Sequence, residues 1–212
     1  MRRILWNVAF AGLALAVFGT AGIFVAARAN HWSWNSTTCM PIGFYQRGPV
    51  PKKLKIGDRV FFCPPVASHA FPKGSRDYRI ARASMHQAIT GLWLGFSPKS
   101  KWACADDLTP FMKEVVALPG QTVQITKAGV IANGKLLPNS RLVNAIDNGK
   151  LKVIHLPLGT YTVPKGYFWD YAPGNRAFTS AYYGPVPIRG ILGSMRPVLT
   201  IAGSQKWLNA DD

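Results

Sequence analysis

The hydropathy pattern divides the chain after about residue 29. Residues 4–27, ILWNVAFAGLALAVFGTAGIFVAA, run apolar with no formal charge and one Asn. About 20 apolar residues at a rise of about 1.5 Å span the roughly 30 Å hydrocarbon core, so this run predicts a membrane-crossing helix. Behind it, residues 30–52 are polar and turn-rich. KLKIGDRVFFCPP (53–65) opens a short predicted strand, Val60 to Cys63, with a Gly-Asp turn, and Pro64 and Pro65 stop it. YRIARASMHQAITGLWLGF (78–96) contains a predicted helix over about 79–90 and then an apolar patch. From 111 onward the pattern turns to strands, expected at 112–117, 121–126 and 129–132. A Pro119-Gly120 turn and an Asn133-Gly134 hairpin signal separate them, and another strand follows. Apolar runs punctuated by Gly and Pro continue to about residue 203. The expected fold class is mainly β on a single N-terminal transmembrane helix. Residues 1–29 form the cytoplasmic tip and anchor, and 30–212 the extracytoplasmic β-rich domain, with an insertion at about 66–110.

Charge orients this picture. Arg2 and Arg3 precede the apolar run, which keeps the N-terminus in the cytoplasm and sends the rest across. A cleaved signal peptide is the other reading: Ala27-Arg28-Ala29 supplies a small-x-small site, although the run is longer than an ordinary signal core. Trp32 and Trp34 follow the span where an aromatic belt is expected, unless they simply pack on the domain behind them. The formal net charge of +16 suits an anionic lipid surface, nucleic acid or an acidic partner. The basic residues are scattered and no stacking motif accompanies them, so no nucleic-acid partner is expected.

An exported domain meets oxidising conditions, where disulfides persist. Three cysteines leave one unpaired. Cys63 and Cys104 flank the long excursion and are the expected pair, which leaves Cys39 free. Four histidines, His31, His69, His86 and His155, are available as bases for a thiol, but none has metal-ligand spacing and no CxxC is present. No metal and no cofactor are expected. Lys113 offers a second base. It stands on the predicted 112–117 strand among Phe111, Met112, Val115 and Val116. Burial there would disfavour the ammonium and let the amine act as a base near neutral pH. On an edge strand it would instead point to water.

Three segments occur in order behind the apolar span: TTCMPIGFY (37–45), KIGDRVFF (55–62) and KEVVALPGQTV (113–123). Together they resemble the type I signal peptidase superfamily of Ser/Lys proteases, and most of all its TraF-like conjugative-transfer peptidases. The nucleophile box of those enzymes reads roughly T-x-S-x-P-x-G-x-Y. Thr37, Cys39, Pro41, Gly43 and Tyr45 fill it here, with cysteine in the serine position. Lys113 stands five residues before Leu118-Pro119-Gly120, the spacing of the family's general base. ANGKLL (132–137) and YYGPVPIRGILGSMRPV (182–198) resemble the later boxes, and the resemblance runs from about residue 4 to 198.

The resemblance implies a signal-peptidase-like β fold and a membrane-anchored peptidase of a conjugation or type IV secretion system. Cys39 would be the nucleophile and Lys113 the general base. The Cys39 backbone N–H and the Thr37 hydroxyl would form the oxyanion hole. The implied substrate is a membrane-embedded precursor such as a pilin, cleaved or closed head to tail. The anionic bilayer and other transfer-apparatus proteins are the further implied partners. The implied location is the inner membrane, single-pass, with the catalytic domain in the periplasm. Departures are visible too. Where many signal peptidases have S-x-D-S-R-Y, this chain has Ala177, Phe178, Thr179, Ser180, Ala181 and Tyr182. The serine that contacts the lysine and the Asp–Arg pair are thus replaced, and the alternative is a catalytically inactive homologue that binds components of the transfer apparatus.

Overall fold

The apolar N-terminal run is helical throughout, as α1 (Arg2–Ala29). Its stretch Ala9–Ala29 is long and apolar enough to cross a membrane, and none of that stretch is buried against the rest of the protein. These features come from a computed structural model that describes residues 2–65, 70–91, 104, 108–146, 151–174 and 177–204. His69 and the apolar patch after Gly91 lie outside the described residues.

Only Asn30 and His31 separate α1 from β1 (Trp32–Asn35), which pairs antiparallel with β2 (Gly43–Gly48). Both strands lie in the region read as polar and turn-rich. Their pattern was hidden because they are short and because β2 is held by a distant partner, β13 (Ile191–Thr200). The strand expected at 60–63 is β3 (Arg59–Phe62). The helix expected over 79–90 is longer, as α2 (Arg76–Gly91), with the Ser75 hydroxyl accepting from the Tyr78 N–H at its start.

β4 (Phe111–Ala117), β5 (Thr122–Thr126) and β6 (Gly129–Ala132) match the periodic strands. In β5, Val123 and Ile125 are buried and Thr122 and Gln124 exposed, the alternation of a half-buried strand. Asn133 (φ 52°) and Gly134 (φ 71°) both take positive φ in the turn to β7 (Lys135–Leu136), as a two-residue hairpin of the primed type requires. The chain continues through β8 (Ala145–Ile146), β9 (Leu151–Lys152), β10 (Gly159–Thr162) and β11 (Tyr167–Tyr171). A one-turn helix, α3 (Ser180–Tyr183), and β12 (Val186–Pro187) lead into β13.

Among the described residues the main sheet has the order β1-β2-β13-β3-β4-β11-β12, and a second sheet the order β10-β5-β6-β7. The architecture is mainly β, as the hydropathy pattern predicts. One core holds it together, with Phe62, Phe168 and Trp169 almost fully enclosed and the Phe62 and Phe168 rings edge to face at 5.4 Å. Cys63 and Cys104 form the expected disulfide, at a sequence separation of 41, and Cys39 is free.

Candidate active site

The turn between β1 and β2 presents Cys39. Asn35, the last residue of β1, organises it: the side-chain amide donates to the carbonyls of Thr37 (2.9 Å), Met40 (3.1 Å) and Pro41 (3.1 Å). The Asn35 carbonyl oxygen accepts from the Thr37 N–H (3.2 Å) and hydroxyl (2.8 Å). A polar side chain thus replaces the backbone ladder where the strand ends. The buried Tyr45 hydroxyl secures the far side by donating to the Pro41 carbonyl at 2.7 Å. Thr37 is exposed and its hydroxyl is committed to Asn35, so it serves an oxyanion only after leaving that acceptor.

A second segment closes on this turn. The Gly174 N–H donates to the Cys39 carbonyl at 3.0 Å. A Cβ at position 174 would stand 2.6 Å from Cys39 Cα, so the two backbones approach this closely only because residue 174 is glycine. Met40, Ala172 and Ala177 form a small buried cluster, against which Cys39 and Met112 both pack.

Met112 precedes Lys113, which is 4% exposed in the middle of the main sheet. β4 is flanked by β3 and β11, so Lys113 does not occupy an edge. Its Nζ lies 5.5 Å from the centroid of the Phe111 ring. On β11, Asp170 pairs with Val115, following a bulge between Trp169 and Asp170. Val115 and Lys113 share one face of β4 because side chains alternate with period two. Asp170 is therefore the diagonal cross-strand neighbour of Lys113, a relation with Cα atoms about 7–8 Å apart in which long side chains meet.

Asp170 is fully buried. Its Oδ2 accepts from the Ser180 hydroxyl and the Tyr183 hydroxyl, each at 2.7 Å, while Ser180 Oγ also accepts from the Asp170 N–H at 2.9 Å. Its Oδ1 has no hydrogen-bond partner among the described residues. Burial pushes the Asp170 carboxyl up to about 6, against the opposing pull of Lys113 and of the hydrogen bonds from Tyr183 and Ser180. The Tyr183 phenol is pushed well above 10 by its own burial, then by Asp170, and last by Cys39. It stays protonated and remains a donor.

The predicted residues thus fall into one neighbourhood. Cys39 and Met112, the neighbour of Lys113, pack against one buried cluster; Asp170 is the diagonal neighbour of Lys113; and Tyr183 donates to Asp170. Thr37 sits at the rim. Of the replaced positions, Ala177 packs beneath Cys39, while Thr179 and Ala181 are buried. Of the described histidines, His155 bonds the Leu156 carbonyl through Nδ1 at 2.6 Å, and His31 is exposed just before β1. Asn35 and Asp170 were not singled out from the sequence. The available signal for Asp170 was one acid inside the otherwise aromatic run YFWDY.

A family model described as signal peptidase, peptidase S26, matches residues 3–200. A conjugal transfer protein TraF of Agrobacterium tumefaciens is 30% identical over 185 residues, covering 87% of this chain and 91% of the relative. A plasmid transfer protein TraF of Escherichia coli is 30% identical over 200 residues, covering 94% and 97%. A solved signal peptidase I from Enterococcus faecalis aligns with 68% of this chain and 97% of its own length, at 17% identity and a TM-score of 0.32.

Proposed function

The chain belongs to the signal peptidase family, peptidase S26, and from that premise we propose that it is a membrane-anchored peptidase of a conjugation or type IV secretion system. Its substrate is a membrane-embedded exported precursor, such as a pilin. Cys39 attacks the scissile carbonyl. Lys113 manages the proton, taking it from the thiol and delivering it to the leaving amine. The resulting thioester is resolved by water, giving cleavage, or by an amine, giving head-to-tail closure. The Cys39 N–H and the Thr37 hydroxyl, once turned from Asn35, stabilise the oxyanion.

The observation that carries this reading is that the Cys39 turn and Met112, next to the buried Lys113, pack against one cluster, with Asp170 the diagonal neighbour of Lys113. The names of the TraF relatives support the conjugation context. The placement on the outer face of the inner membrane, with the N-terminus in the cytoplasm, is supported by α1 and by the exposed apolar residues beside the turn. Trp34 is 55% and Leu199 69% exposed, and both border Phe44: Trp34 and Leu199 are its partners on β1 and β13. These apolar residues would meet the anionic bilayer. The inactive-homologue reading draws on Ala177, Thr179 and Ala181, which lack the groups that support the lysine in many signal peptidases.

Processing of the precursor in cells decides between them. Cys39→Ala and Lys113→Ala are each expected to abolish maturation while the protein accumulates normally in the membrane. Normal maturation with Cys39→Ala would refute the peptidase.

A further inference from the structure

We propose that Asp170 is a positioning residue of this site: its carboxylate holds Lys113 as an ammonium, so that Cys39 rests as a thiolate opposite that charge. The inference rests on the peptidase reading and adds a third member to it.

The geometry comes first. Asp170 and Lys113 share one face of adjacent central strands, in the diagonal relation created by the bulge before Asp170. Ser180 and Tyr183 both donate to Oδ2, which fixes the carboxylate plane and leaves Oδ1 without a partner among the described residues. A fully buried carboxylate stays ionised when a nearby cation offsets its desolvation and otherwise takes up a proton. Lys113, its diagonal neighbour on β4, supplies the opposing charge. Among the described residues, the other elements near Asp170 add no further cation. From α3 come the neutral Ser180 and the protonated Tyr183. From the β1–β2 turn comes Cys39, a smaller influence that also pushes the Tyr183 phenol up. Glu114 and Arg59 pair with each other at 3.9 Å on the opposite face of β4. α2, which packs on α3, buries Ala81, Ser84, Met85 and Ala88.

The arrangement also accounts for the cysteine. A lysine held as an ammonium cannot take a proton from a serine hydroxyl. A thiol, ordinarily ionising near about 8.5, can rest as a thiolate beside an ammonium. An acid next to the lysine therefore fits sulfur at position 39 and does not fit oxygen. In acylation the thiolate adds to the carbonyl carbon. The C–N bond then breaks as the Lys113 ammonium gives its proton to the leaving nitrogen, which leaves a thioester and a neutral amine on Lys113. In the second half, Lys113 takes a proton from the water or amine that attacks the thioester. The C–S bond breaks, and the thiolate–ammonium pair re-forms. Asp170 stays ionised throughout and returns Lys113 to its charged state.

The test is alkylation of the full-length protein in detergent micelles with iodoacetamide, which reads the thiolate of the free Cys39 without substrate. The native protein is expected to react at pH 7 within threefold of its rate at pH 9. Asp170→Asn should react at least tenfold more slowly at pH 7 and recover by pH 9, and adding Lys113→Met should lower the pH 7 rate no further. Tyr183→Phe, which removes one donor to Oδ2 and keeps the ring, should slow the pH 7 reaction at least threefold and serves if Asp170→Asn does not fold. Native rates at pH 7 in Asp170→Asn, or an equal loss at pH 7 and pH 9, would overturn the inference. Processing that requires Cys39 and Lys113 alongside native alkylation of Asp170→Asn sinks this inference alone. The expected alkylation pattern with no processing of any precursor sinks the peptidase instead.

Discussion

Replacing Asp170 with Asn should stabilise the protein at neutral pH even as it damages the site. The carboxyl is fully buried, and its titration is displaced from an ordinary 3.8 to about 6, chiefly by desolvation. At about 1.4 kcal/mol per pH unit, that displacement corresponds to about 3 kcal/mol. The sign follows from linkage. The folded state binds the Asp170 proton more tightly than the unfolded chain, so the contribution is fully present below about pH 4. It is lost as pH rises towards 6 and stays lost above. Asparagine mimics the protonated form at every pH. Its carbonyl oxygen keeps the Ser180 and Tyr183 hydrogen bonds, while its amide replaces the uncommitted Oδ1. An imperfectly paired amide takes back about 1 kcal/mol or more. Urea unfolding of the full-length chain in micelles, followed by tryptophan fluorescence because Trp169 adjoins the substituted residue, is the assay. The variant should lie up to about 1 kcal/mol below the native protein at pH 4 and exceed it by about 2 kcal/mol at pH 7.5. Titrating groups other than Lys113 and Cys39 are common to both proteins and cancel in the difference. A variant that is less stable at pH 7.5 than at pH 4, relative to native, would refute the reasoning. The carboxylate–Lys113 attraction would then outweigh desolvation.

Two further outcomes follow from contacts away from the charges. Gly174→Ala places a Cβ 2.6 Å from Cys39 Cα and should cut precursor processing at least tenfold, with the Cys63–Cys104 bridge intact by mass spectrometry of the unreduced protein. Replacing Cys63 and Cys104 together by Ala removes a cross-link spanning 41 positions and should lower stability by about 4 kcal/mol in urea unfolding, with native Cys39 alkylation wherever the protein remains folded.

How much of this was legible in the sequence varied with the range of the forces involved. β4, β5 and β6 and the Asn133-Gly134 turn could be read directly, because alternation and positive-φ residues are properties of contiguous positions. β1 and β2 could not, because four- and six-residue strands with little alternation form only when β13 supplies the partner. Cys39 and Lys113 were found from two local boxes, each with its own spacing to a Pro-Gly element. Asn35 escaped notice because its role is to fold back on carbonyls up to six residues ahead, and Asn occurs in many loops for lesser reasons.

The linear order of residues by itself established the apolar helix, the mainly β domain, the free cysteine, and the nucleophile and lysine boxes. Each depends on composition or on neighbours within a few positions. Only the folded chain decided what surrounds Lys113. Strand register is a collective outcome of the core, and one bulge beside Asp170 determines which side chain faces the lysine. The replacements at Ala177, Thr179 and Ala181 suggest a site stripped of support when read along the chain. In three dimensions an acid from the neighbouring strand stands beside the lysine, because pairing β11 with β4 brings together residues that no local pattern connects.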